Sequence, residues 1–249
     1  MVVRSAFAMS GMVIVVGGIM FSQGLLNVNK VFKGTAQQAA ALNDDVDVSK
    51  LKGEGDGRIN ILLTGIGGEK HQGGDLTDSL MLASIDPVNN TATLLSVPRD
   101  TWVTIPGKGG MKINAAYATA KYEYMRKNKV PATDTGAINA GFTSIDQTIE
   151  QVLGVPIHYN LLVNFQAFKQ AIDTVGGVTV NVPEDLYDPT MAPENNRDPY
   201  LARAGTQTFD GTKALMYARS RETSSDFARG ERQRAVLLAL KQKAITAGI

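Results

Sequence analysis

Residues 217–234 read YARSRETSSDFARGERQR and hold five of the eleven arginines in a chain of 249 residues whose formal net charge is only +1. Arginine suits phosphate. Its planar fork donates two parallel hydrogen bonds to one phosphate or carboxylate, and it keeps its charge at physiological pH. Arg219 and Arg221 stand two apart and share a side if their segment is extended. Arg229, Arg232 and Gln233 step back by three and four from Val236, on a stripe that continues through Leu237, Leu240 and Ile245. A solvated charge run would take the opposite side, where Glu231 and Arg234 fall. The preceding TSSD supplies N-capping side chains, and a helix N-terminus attracts anions. The pattern predicts an anion site, with a surface run or structural ion pairs as the alternative.

Other candidates lie upstream. Arg99, in SVPRD, ends an expected strand before a turn, where α/β proteins present ligand-binding groups; its alternative is an ion pair with Asp100. Asp226, in SSDF, is read either as a proton acceptor or as a helix cap that orients Arg229. Asn114, in KINAAYA, is a candidate N-cap. The absence of cysteine excludes disulfides, thiolate nucleophiles and cysteine metal sites, and two histidines are too few for a histidine metal cluster. Near-neutral charge, and arginines without interleaved aromatics, argue against a nucleic-acid binder.

These residues need elements to position them. INILLTGI (59–66) has the length and apolarity of a buried strand, and SLMLASID (79–86) and TATLLSVP (91–98) resemble two more. KINAAYATAKYEYMRKN has helical composition. Ile138, Phe142, Ile145, Ile149 and Val152 mark an amphipathic helix stopped by Gly154. Strands over 159–165 and 177–183 flank a short helix at 166–175, and helices are expected over 210–218 and about 227–246. Strands alternating with helices predict an α/β layered domain.

Residues 5–26 carry no charged side chain, and at ~1.5 Å per residue they reach roughly 33 Å, enough for a hydrocarbon core of about 30 Å. We read residues 1–30 as a cytoplasmic start with an uncleaved transmembrane anchor, a signal peptide being the alternative. Residues 31–57 read as a flexible tether ending in KGEGDGR, and residues 58–249 as the folded domain.

The blocks NILLTGIGG, LTDSLMLASIDP, LLSVPRDTWVTIPG, KINAAYA and YARSRETSSDFARGERQR, in that order over roughly residues 58–245, resemble the LytR-CpsA-Psr family of bacterial cell-wall ligases. The resemblance implies a three-layer α/β/α sandwich with a mixed central sheet behind an N-terminal transmembrane helix, the domain lying outside the cytoplasmic membrane. It implies Mg2+-dependent transfer of a glycopolymer from an undecaprenyl-pyrophosphate carrier to an acceptor such as peptidoglycan, through a phosphodiester link. Rival readings are a polyprenyl-pyrophosphate pyrophosphatase and a non-enzymatic membrane-bound regulator. By the same resemblance, Arg99, Arg219, Arg221, Arg229, Arg232, Gln233 and Lys112 bind pyrophosphate. Arg99, Asp78 and Asp226 are the catalytic candidates, and Asp78 binds the metal. The sequence departs from the usual pattern at Gly65-Ile66-Gly67-Gly68 and at Leu76-Thr77, so the second metal ligand falls to Asp75 or Glu69, with His71 a candidate phosphate contact. Family members usually continue beyond such a final helix, so the chain is read as a fragment or as a C-terminally shortened member.

Overall fold

A computed structural model describes residues 58–68, 73–86, 89, 91–221 and 225–246. The predicted anchor and tether, Glu69 and His71 lie outside the described residues. No helix among the described residues is long and apolar enough to cross a membrane. The chain divides into two compact units, which part between Asn164 and Phe165.

The unit that ends at Asn164 is built on a four-stranded sheet in the order β3-β2-β1-β6, formed by β1 (Ile59–Ile66), β2 (Thr77–Asp86), β3 (Thr91–Val97) and β6 (Tyr159–Asn164). β1 pairs antiparallel with β2 and parallel with β6, so the sheet is mixed, as expected. Leucine and β-branched residues fill β1, where Leu62 is fully buried opposite Leu82. Helices α1 (Ala115–Asn128) and α2 (Thr135–Leu153) cover that face, joining Leu62, Leu80 and Val97 to Tyr117, Phe142, Ile145 and Ile149 in one core. α2 begins where the Asp134 carboxylate accepts the Ala137 N–H. It ends at Gly154, whose φ of 71° gives the left-handed stop. Val152, expected on the core stripe, is 42% exposed, because the stripe steps by four from Ile149 to the partly buried Leu153.

A two-stranded hairpin, β4 (Trp102–Ile105) and β5 (Gly109–Lys112), separates β3 from α1. Gly107 and Gly109 turn it at φ of 71° and 90°, values that favour glycine. Lys112 therefore closes a strand, and the helix expected from KINAAYA starts three residues later.

The unit that begins at Phe165 comprises α3 (Phe165–Thr174), β7 (Val178–Val182), β8 (Leu186–Tyr187), a 3-10 helix (Pro189–Glu194), β9 (Tyr200–Ala202), β10 (Gly205–Phe209), α4 (Gly211–Arg219) and α5 (Asp226–Thr246). β7 and β10 pair antiparallel, as do β8 and β9. β7 alternates buried valines with exposed polar residues, and its valines pack with Ile172, Phe209, Tyr217 and Val236. On α5 the inward stripe runs Arg229, Arg232, Val236, Leu240 and Ala244. It confirms the spacing argument for the arginines and corrects its far end: Ile245 is 41% exposed, because the final step from Leu240 is four residues and falls on Ala244.

Candidate functional site

Arg219, Arg221, Arg229 and Arg232 of the second unit gather near the end of α4. That helix has no glycine stop. Ser220 takes the C-cap position with φ −52° and ψ 138°, so the chain leaves the helix extended. The last carbonyls are satisfied from outside the helix. Arg232 Nε donates to the Tyr217 carbonyl at 3.0 Å, Arg232 Nη2 donates to the Ser220 carbonyl, and Gln233 Nε2 reaches the Ala218 carbonyl at 3.3 Å. Arg232 is thus turned inward, as its spacing predicted, with its guanidinium engaged on the backbone of the Arg-Ser-Arg segment. Burial pulls its pKa down, while Tyr217, Asp188 and Glu184 push it back up.

Arg219 and Arg221 line one concave surface with Asp226, Asp188, Thr190 and Glu194. The two arginines share a side, although Arg219 is the last residue of a helix and not part of an extended segment. The Arg219 guanidinium lies 4.5 Å from the centre of the Phe165 ring and 3.3 Å from Glu194. Asp226 approaches Arg229 at 3.2 Å and Arg221 at 3.9 Å. The helix cap is Ser225, whose hydroxyl oxygen accepts the Ala228 N–H at 3.2 Å. Asp226 contacts these two arginines, and the capping oxygen belongs to its neighbour. Chemically, the surface offers fixed positive charge to an anion, and carboxylates to a hydroxyl proton.

In the first unit, charges alternate along a chain of contacts. Arg99 pairs with Asp78 and approaches Asp100 at 3.5 Å, and Lys112 bonds Asp100 at 2.5 Å. The ion pair anticipated between Arg99 and Asp100 is present beside the pair with Asp78. Three motif segments are stitched here by main-chain bonds. Thr77 N–H donates to the Asn114 carbonyl at 3.1 Å, Asn114 N–H to the Arg99 carbonyl at 3.3 Å, and Ile113 N–H to the Thr101 carbonyl at 2.8 Å. Asn114 occupies the N-cap position of α1, but its side chain makes no capping bond.

Asp75 turns inward to Lys121, 2.8 Å away. Tyr122 also bonds Asp75, and burial first, with that carboxylate second, raises the Tyr122 pKa. Asp78 keeps 40% of its side chain exposed. Among the described residues there is no group of three or more histidine, cysteine, aspartate or glutamate side chains placed to hold a metal. Asp78 is the one partly exposed carboxylate of the two metal-ligand candidates described, and it is engaged by Arg99.

Sequence reasoning missed Asp188, Glu194, Phe165 and Lys121. The Asp-Pro at 188–189 is a readable start signal for a short helix. The long-range partners of these four residues left no local trace.

The fold is mixed α/β, and its concave surface sets two arginines at a helix end beside carboxylates. The LytR_cpsA_psr family model matches residues 25–248, and the chain belongs to that family. It is 35% identical over 202 residues to the polyisoprenyl-teichoic acid–peptidoglycan teichoic acid transferase TagU of Oceanobacillus iheyensis, with 80% of this chain and 55% of the relative covered. It is 32% identical over 207 residues to the regulatory protein MsrR of Staphylococcus aureus, covering 81% of this chain and 54% of the relative. Among solved structures, the family protein YwtF (TagT) with bound octaprenyl pyrophosphate lipid aligns with a TM-score of 0.59 at 28% identity, over 81% of this chain and 68% of that one. The chain spans a little over half the length of the first two relatives.

Proposed function

We propose that this chain is a membrane-anchored phosphotransferase that moves a glycopolymer from a polyprenyl-pyrophosphate carrier to a cell-wall acceptor such as peptidoglycan. The observation that carries the reading is the opening of Arg219 and Arg221 onto one concave surface that also presents Asp226. The names of the relatives support it, as does the lipid in the YwtF (TagT) structure. With it go residues 5–26 as the anchor, a domain outside the cytoplasmic membrane and the family's three-layer sandwich.

In this reading Arg219 and Arg221 hold the pyrophosphate oxygens, with Arg229 behind them, and the resemblance adds Arg99 and Lys112 as phosphate contacts. Their charge stabilises the negative charge that develops as the acceptor attacks. The acceptor hydroxyl oxygen bonds to the polymer-side phosphorus, and the bond from that phosphorus to the bridging oxygen breaks. Polyprenyl phosphate then leaves, and its oxygens keep the electron pair. Asp226 faces the cleft and takes the hydroxyl proton, or keeps the arginines aimed while solvent takes it. Asp78 would hold Mg2+, which when bound would neutralise phosphate charge.

The test is full-length chain in detergent, supplied with a polyprenyl-pyrophosphate glycan and peptidoglycan. Polymer phosphate joined to peptidoglycan supports transfer. Free polymer phosphate alone would mean that water replaces the sugar, making the chain a pyrophosphatase. Absence of both products favours the regulatory reading, which the likeness to MsrR motivates.

A further inference from the structure

We infer that Asp188 is a positioning residue that aims Arg219 and Arg221 through the serine between them. The inference rests on the reading of those arginines as pyrophosphate ligands. Asp188 is 1% exposed, and so is Ser220. The Ser220 hydroxyl donates to Asp188 Oδ2 at 2.7 Å. The other carboxylate oxygen accepts from Thr190 N–H at 3.1 Å and from the Thr190 hydroxyl at 2.6 Å, which fixes the carboxylate at the start of the 3-10 helix. Asp188 N–H donates to the Pro199 carbonyl at 2.7 Å, so the backbone is held as well.

This anchorage matters because of how α4 stops. A helix that ends on a left-handed glycine sets its exit direction locally. Here the exit is set by Ser220, a residue with no intrinsic preference for stopping a helix, at an extended φ and ψ. Two restraints meet on it: Arg232 holds its carbonyl and Asp188 holds its hydroxyl. Arg219 and Arg221 flank it and face the cleft that Asp188 also lines. Release of the serine frees the direction in which the chain leaves α4, and with it the separation of the two guanidinium groups. Two forks bind one pyrophosphate well only when their spacing is set beforehand. Asp188 therefore contributes to phosphate binding without touching phosphate.

The experiment uses full-length chain in detergent, with Asp188→Ala, Ser220→Ala, the double variant, and Asp188→Asn as the conservative control. Two quantities are read in variants whose circular dichroism matches the parent: the order of the Arg219 and Arg221 Nε–H groups by NMR, and the affinity for inorganic pyrophosphate. We expect both arginines to lose order in each alanine variant while Arg203 is unchanged, with affinity falling about tenfold. The double variant should fall no further, because both substitutions cut the same link. Asp188→Asn, which keeps an acceptor for Thr190 N–H and a donor toward Ser220, should recover part of both. Unchanged arginine order in folded variants overturns the proposal, and so does unchanged affinity with order lost, or a double variant whose losses multiply. If the parent binds no pyrophosphate yet the arginines still loosen, the positioning role stands and the functional reading fails.

Discussion

Lys121 Nζ lies 2.8 Å from Asp75 Oδ1, with the two side chains only 8% and 14% exposed. A pair this buried is costly to break from one side, because the surviving charge is left without a partner. Lys121→Met should therefore destabilise the protein by about 3–5 kcal/mol. Combining it with Asp75→Leu should restore most of the loss. Urea denaturation of the three variants checks both statements.

The same pair separates the two aspartates as metal ligands. Asp75 is held by Lys121 in a buried pair, whereas Asp78, though paired with Arg99, keeps 40% of its side chain exposed. Chelation should abolish transfer, and added Mg2+ should restore it. Asp78→Asn should raise the Mg2+ requirement at least ~10-fold, as loss of a carboxylate ligand to a hard cation implies. Asp75→Asn, which keeps an acceptor for Lys121, should leave it nearly unchanged. Activity measured against Mg2+ concentration decides between them.

Arg219→Ala and Arg99→Ala should each lower the transfer rate by about 10²–10³, the cost of removing one charged donor from a phosphoryl-transfer site. Both side chains lie at the ends of elements and outside the two cores, so far-ultraviolet circular dichroism should not change. Near-parental rates in both variants would sink the site assignment.

Asp146 supplies a pH dependence away from the cleft. Burial, followed by repulsion from Glu150, pushes its carboxyl from 3.8 up to about 7, against the opposing hydrogen bond from Asn160 at 2.7 Å. The folded state holds that proton at pH values where the unfolded chain has lost it. Stability should therefore fall as pH rises from about 4 through about 7, and stay low above that. Asp146→Asn removes the ionisation. Its melting temperature should exceed the parent's at pH 8 and match it near pH 4.

Where one residue's neighbours in sequence decide its environment, the chain was legible. INILLTGI matched β1 residue for residue, because a buried strand is a short apolar run between breakers. The inward turn of Arg229 and Arg232 followed from their phase relative to Val236 and Leu240. The β4–β5 hairpin was missed because its glycines read only as interruptions. GTQTF was missed as β10 because only one of its faces is covered, which leaves the strand polar. Asp188 was invisible for a different reason: its hydroxyl partner is Ser220, 32 residues away. The arginines announce a site by type and spacing, whereas what aims them is ordinary in composition and distant in sequence.

The main-chain bonds that join Thr77, Asn114 and Arg99 link segments that stand apart in sequence, the widest separated by 37 residues. The Asn114 segment stands between the other two and ties both in place. The amide protons of Thr77, at the start of β2, and of Ile113 and Asn114, between β5 and α1, should then share a single opening event and exchange with solvent as one cooperative unit. Asp78, next to Thr77 in sequence, and Arg99 should therefore stand or loosen together.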